Sequence, residues 1–191
     1  MVGKFIHYYS NMSIDKTKDK ILKVSRELFM KKGYDATSMS EISSKVGINK
    51  ASLYYFFKDK EHLYFEIMRN SLKNILDYLS EVELSYESDF NKIIKNLIIK
   101  SANDSIIAYI LDTDSIKSNS KSLIEIHDGV SEIQRIFIRI CKKHKVSDPQ
   151  TASEVTLNAI HAYAIKSSCH SMKVKPEKYA KYLSALLEKN K

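Results

Sequence analysis

Apolar residues return at intervals of three and four through most of this chain, and that spacing predicts helices. From Lys18 to Lys32 the residues Ile21, Val24, Leu28 and Phe29 form one stripe, and Gly33 follows as a C-terminal stop. Ser38 and Glu41 make an S-x-x-E capping box, in which the serine hydroxyl can accept the N3 amide and the glutamate can reach back to the cap. The box opens a short helix running to Val46, which Gly47 ends. Asn49 can cap a third helix, about Lys50–Phe57, and Lys58-Asp59 breaks the chain before a long helix from about Lys60 to Tyr78 or beyond.

Further on, Asp89 can cap a helix carrying Ile93, Ile94, Leu97, Ile98, Ser101, Ile106 and Tyr109, with the polar stretch Asp112–Ser122 as a loop after it. An apolar pattern runs from Leu123 to His144 and is interrupted at Asp128-Gly129, where the chain either kinks or divides into two helices. Ser147-Asp148-Pro149 starts a helix to about Ser171, and Lys175-Pro176-Glu177 starts the last, to about Glu188. No internal repeat or low-complexity segment interrupts this order. The fold class expected is all-α with about nine helices.

Composition sharpens that expectation. Only 4 Gly and 2 Pro in 191 residues leave too few turn-formers for many short strands. The glycines are Gly3, Gly33, Gly47 and Gly129, so the chain holds neither a phosphate-cradling loop nor a dinucleotide fingerprint, and no nucleophile elbow or H-E-x-x-H occurs. Neither an enzyme nor a cofactor is expected. Cys141 and Cys169 are too few for a disulfide framework and suit reduced thiols in the cytoplasm. No apolar run approaches the roughly 18–20 residues that span a bilayer, and the opening MVGKFIHYYSNMS lacks an export signal's apolar centre. Residues 1–14 read as a flexible tail.

Charge is uneven. Residues 1–60 hold 12 Lys/Arg against 6 Asp/Glu, while residues 61–191 hold 19 against 17. A basic first third favours a polyanion, although the heavy use of Lys, Ile, Asn and Tyr is also what an AT-rich genome produces. A protein exploiting charge alone would bind DNA of any sequence.

Two short helices joined through Gly47 form a helix-turn-helix, the second of which lies in the major groove. On that second helix Leu53 and Phe57 share a face and, with Ile48, can pack on Ile21, Leu28 and Ile42, leaving Lys50, Ala51, Tyr54 and Tyr55 on the other side. The runs Gly33-Tyr34-Asp35-Ala36-Thr37-Ser38-Met39-Ser40-Glu41-Ile42 and Gly47-Ile48-Asn49-Lys50-Ala51-Ser52-Leu53-Tyr54-Tyr55-Phe56-Phe57-Lys58-Asp59-Lys60-Glu61-His62-Leu63 closely resemble the DNA-binding domain of the tetracycline-repressor (TetR) family. The resemblance covers about residues 18–65, and its Leu-Tyr-x-x-Phe-x-x-Lys-x-x-Leu spacing is its most specific part.

That resemblance implies a helix-turn-helix domain over residues 15–62 and a ligand-binding and dimerisation domain over 63–191. It implies that Thr37, Ser38, Tyr54 and Lys60 touch phosphates, while Lys50, Ala51, Ser52 and Tyr55 face the bases or nearby backbone. Phe56 and Met39 depart from the common pattern, where His or Tyr and a polar residue are more usual. The partners implied are a palindromic double-stranded operator, a second copy of the chain paired through the last two helices, and a small-molecule inducer.

For the inducer, His127, Gln134 and Cys141 recur at sevenfold spacing beside Phe137, and Tyr109, His161 and Tyr163 could join them around an apolar or aromatic compound. Each of these also suits an ordinary core or rim position. A metal- or thiol-sensing regulator is the alternative, because Cys141 and His144 sit one turn apart and Cys169-His170 lies in another helix. Those two pairs would have to converge.

Overall fold

Between Lys4 and Lys32 the chain holds neither glycine nor proline, and the first helix uses that freedom: α1 spans Val2–Lys32 instead of starting at Lys18. The computed structural model describes residues 2–85, 89–104, 106, 121–168 and 171–188, with side chains from Asp15 onward apart from Ser168 and Glu188. The other helices are α2 (Met39–Val46), α3 (Lys50–Phe56), α4 (Lys60–Leu84), α5 (Phe90–Asn103), α6 (Lys121–Lys143), α7 (Pro149–Ser168) and α8 (Pro176–Glu188). Among the described residues there are thus eight helices and no strand, the all-α class that the spacing predicts. No helix among them is long and apolar enough to cross a membrane.

Packing divides the chain into two units, Met1–Ile67 and Met68–Lys191. In the first, α1 lies against α2 and α2 against α3. Ile21, Leu28, Phe29, Ile42, Val46, Leu53, Phe57 and Leu63 are buried, each at a position on the apolar stripes. Burial of each such side chain stabilises by about 1.5–3 kcal/mol, which for so small a unit makes every one of them consequential.

In the second unit α5 lies against α7 and α8, and α6 packs on α7. Phe90 of α5 stacks on Phe137 of α6 with ring centres 6.3 Å apart, amid buried Ile93, Ile94, Ile133, Ile140 and Ile160. Tyr163 of α7 donates to the Val174 carbonyl at 2.8 Å in the connection before α8, and Tyr179 of α8 donates to Ala159 of α7 at 3.2 Å. Asp148 caps α7 by accepting from the Thr151 amide at 3.1 Å, and hydrogen bonds from the Thr151 hydroxyl and then from that amide hold its carboxyl below the ordinary value.

Helices α4 and α6 run in the same direction, since Arg69 reaches Glu125 at 3.0 Å and Ser122 at 2.9 Å while Arg139 reaches Glu83 further along both. Gly129 lies between these two ties, and α6 passes through Asp128-Gly129 as one helix. A Cβ at 129 would sit 2.2 Å from Cδ2 of Leu72, so α6 comes close to α4 at this glycine. The glycine that reads as a break is a close-approach point.

Cys141 is fully buried in this unit, and burial pushes its thiol up to about 12. Alkylation of Cys141 at pH 8, followed by peptide mapping, is expected to proceed only as fast as the unit opens. An unfolded thiol releases its proton near 9.0, whereas the folded one holds it to about 12, so stability is full below that window and falls as pH climbs through it. Urea midpoints at pH 8 and 10 should show a smaller drop in Cys141→Ala than in the parent chain.

Candidate nucleic-acid interface

Four local hydrogen-bond devices build the segment that presents α3. Gly33 at φ +83 closes α1, its amide donating to Phe29 at 2.8 Å. Ser38 holds extended backbone angles and accepts from the Glu41 amide at 3.2 Å, which caps α2. Gly47 at φ 80, ψ 34 then takes the left-handed conformation, its amide donating to Ser43 and Ser44, and Ile48 donates to Ser43 at 3.0 Å. Asn49 caps α3 by accepting from the Ser52 amide at 2.7 Å.

One half of the capping box is used differently from the sequence expectation. The Glu41 carboxylate turns to Lys32 at the end of α1 and forms an ion pair that straps the start of α2 to the preceding helix. A surface pair of this kind contributes about 1 kcal/mol at most, so its effect is on the geometry of the turn more than on stability.

On α3, Leu53 is buried, and Phe57 immediately after the helix is 1% exposed. Lys50 and Ala51 stand exposed, Tyr54 is 50% exposed and Tyr55 76%, while Ser52 and Phe56 are half-buried. Tyr55 and Phe56 meet edge-on with ring centres 5.3 Å apart. The result is one outward edge with a cation, a small side chain and two phenols on a seven-residue helix.

The positions that the resemblance assigns to phosphates divide. Ser38 and Tyr54 are exposed. Thr37 is 1% exposed and its hydroxyl donates to the Gly33 carbonyl at 2.8 Å, so its side chain serves the turn and not the surface. Lys60 is half-buried, with Nζ 2.8 Å from the Tyr34 carbonyl oxygen.

The candidate inducer contacts do not form one cluster. Gln134 and His161 come together in a groove of about 140 Å³ between α6 and α7, with Val130, Glu154, Leu157 and Asn158. His127 is exposed, whereas Phe137 and Cys141 are core residues and Tyr163 is tied to Val174. Sevenfold spacing keeps residues on one stripe of a helix, but the elements covering α6 change along its length, so the stripe passes from solvent to core. Tyr109 lies outside the described residues. Glu154 and Asn158 escaped the sequence reading, although with His161 they follow an i, i+4, i+7 pattern that could have found them.

Among the described residues no group of three or more His, Cys, Asp or Glu is placed to hold a metal ion. Cys169 and His170, half of the metal alternative, lie outside the described residues, and His144 packs against the Phe90 ring at 5.1 Å.

A second surface stands out on α7 and α8. Val155, Ile165, Tyr182 and Leu186 are large, apolar and exposed, and a groove of about 200 Å³ runs between the start of α7 and the end of α8. On the last helix Leu183 and Leu187 turn into this chain's own core and Leu186 turns out. Ala152 and Ala164 are likewise buried, while Ala162 is exposed.

Residues 21–67 match the family model described as bacterial regulatory proteins, tetR family. The chain is 44% identical over 62 residues to the Biofilm operon icaADBC HTH-type negative transcriptional regulator IcaR of Staphylococcus epidermidis, a stretch of 32% of this chain and 34% of that protein. The match thus spans about a third of that relative's length. A transcriptional regulator of the TetR/AcrR type from Aquifex aeolicus superposes with a TM-score of 0.71 at 26% identity, covering 90% of this chain and 98% of that one. AibR, solved in complex with isovaleryl coenzyme A and operator DNA, superposes with a TM-score of 0.70 at 15% identity over 90% and 97% of the two chains, and shares the fold.

Proposed function

We infer from its membership of the TetR family of bacterial regulatory proteins that this chain is a ligand-responsive DNA-binding transcriptional regulator, a repressor that leaves its operator when a small molecule binds. One observation carries the reading: α3 turns Leu53 inward and holds Lys50, Ala51, Tyr54 and Tyr55 outward as a polar and aromatic edge of the size the major groove admits. Ser38 and Tyr54 then contact phosphates, which fix position, while Lys50, Ala51, Ser52 and Tyr55 face base edges, which specify sequence. The partial positive charge at the start of α2 favours a phosphate beside Ser38.

A second copy of the chain covers the exposed apolar residues of α7 and α8. A twofold pair whose α3 helices sit one helical turn of DNA apart, about 34–36 Å, calls for a palindromic operator. The negative regulation in the name of the staphylococcal relative supports repression. The inducer is a small apolar or aromatic compound in the second unit, with Gln134 and His161 as its candidate polar contacts. The protein works in the cytoplasm, where the chromosome is, and acts by binding and not by catalysis.

Selection of bound fragments from random and genomic DNA with the purified protein tests this reading. The expected product is a palindrome whose half-sites repeat at one helical turn. A pool that stays unenriched would count against a sequence reader and leave only a charge-driven binder. Lys50→Ala is expected to change the preferred base at one position, where a bidentate contact discriminates by about 1–3 kcal/mol. Tyr54→Phe should weaken binding to all sequences alike. Equal losses on every sequence for Lys50→Ala would remove its role in base reading.

A further inference from the structure

Lys60 has surroundings that differ from what the resemblance implies. It opens α4, where a cation faces the positive end of the helix dipole, so α4 gains nothing from it there. Its ammonium points back to the turn that follows α1. Nζ lies 2.8 Å from the carbonyl oxygen of Tyr34 and 3.4 Å from that of Asp35, and 4.2 Å from the centre of the Tyr34 ring. That ring is fixed in turn by Phe29, stacked at 5.9 Å, and Tyr64, tilted at 4.9 Å.

The carbonyl that Lys60 holds is also the acceptor for the Thr37 amide at 3.3 Å, and the Thr37 hydroxyl donates to Gly33 at 2.8 Å. Residue 38, the cap of α2, is next in the chain. Lys60 thus grips one side of the five-residue turn between α1 and Ser38, while the Lys32–Glu41 ion pair straps the other. Two of the three ammonium protons have carbonyl acceptors within the protein and the charge sits over an aromatic face, an arrangement that satisfies a lysine without DNA.

We propose that Lys60 is a positioning residue for DNA binding: it clasps the Tyr34–Asp35 turn and so sets where Ser38 and the start of α2 meet the backbone of the duplex, without taking a phosphate of its own. The proposal rests on the regulator reading above. It differs from a phosphate contact in a measurable way, because every phosphate neutralised by a protein cation releases counterions and steepens the salt dependence of binding.

The test uses the full chain with Lys60→Met, Lys60→Arg and Tyr34→Leu, and has two readouts. In the DNA-free protein, hydrogen exchange at the Thr37 amide is compared with that at Leu28 in α1. Lys60→Met is expected to lose about tenfold in protection at Thr37 with Leu28 unchanged; equal protection at Thr37 in both proteins would overturn the clasp. In the second readout, affinity per folded molecule is titrated from about 50 to 200 mM salt on the duplex that the parent protein selects from random DNA.

Lys60→Met is expected to bind about tenfold more weakly with the parent salt slope, and Lys60→Arg, which keeps the carbonyl donors, to recover most of the loss. Tyr34→Leu leaves the ammonium in place and should lose affinity with the same unchanged slope. A slope shallower by about 0.9 in Lys60→Met, as expected when one phosphate is no longer neutralised, would make Lys60 a direct phosphate ligand and overturn the proposal. So would an undiminished affinity in both variants. If no duplex is selected at all, the regulator reading fails, and the exchange readout alone still decides whether Lys60 holds the turn.

Discussion

Leu186→Glu is expected to leave the chain monomeric and to weaken its hold on a palindromic duplex about a hundredfold or more. Leu186 is 48% exposed on α8, one turn from the exposed Tyr182 and flanked by Leu183 and Leu187, which face inward. A carboxylate there costs this chain's own core little, since the side chain points away from it. Pressed against a second copy it would be stripped of water with nothing to pair it, which costs several kcal/mol. Two heads joined by a dimer gain about 10²–10⁴ in affinity over one, because the second head binds at high effective concentration. Sedimentation and a binding titration check both parts. A dimer that persists at micromolar concentration, or an affinity within threefold of the parent, would place the dimer interface elsewhere.

The other large effect is expected inside the first unit. Phe57→Ala removes a ring that is 1% exposed, and such truncations cost about 3–5 kcal/mol. That is a large part of the roughly 5–15 kcal/mol that holds an ordinary domain together. The thermal transition that reports on α1 to α3 should fall by about 10 °C or more, and DNA binding should be lost at 37 °C. Tyr55→Ala is the matched comparison, since its ring stands in solvent: the transition should stay in place while the affinity for DNA falls. A Phe57→Ala protein that melts within a few degrees of the parent would show that Phe57 is not what carries α3.

The parts of this molecule that were legible in its sequence are those fixed within a few residues. The Ser38 and Asn49 caps, the left-handed Gly47 and the inward side of α3 each depend on neighbours three or four positions away, and these appear as read. What stayed open depended mostly on partners distant in the chain. Gly129 carries the signal of a helix break, and only the approach of Leu72, 57 positions earlier, turns it into a point of contact. Thr37 is the local exception, since its hydroxyl is drawn inward by the Gly33 carbonyl only four positions back.

The stripe of His127, Gln134 and Cys141 on α6 shows the same limit. Period alone places three residues on one side of a helix, but what lies opposite each is a tertiary matter, and here one meets solvent, one a groove and one the core. The two residues that do share a groove, Gln134 and His161, lie on different helices and are related by packing that no periodicity encodes. Glu41 is a milder case: its sequence position favours its own helix cap, and the nearer cation of Lys32 takes it instead.

The prominence of Tyr55 has a practical corollary for spectroscopy. The chain contains no tryptophan, so Tyr55→Trp would create a lone indole at a position that is 76% exposed. Its emission would be free of background from any other indole, and insertion of that helix into a groove would move the fluorophore from water to stacked bases. Stopped-flow traces could then follow arrival and departure directly, turning one exposed side chain of α3 into a clock for residence on the chromosome.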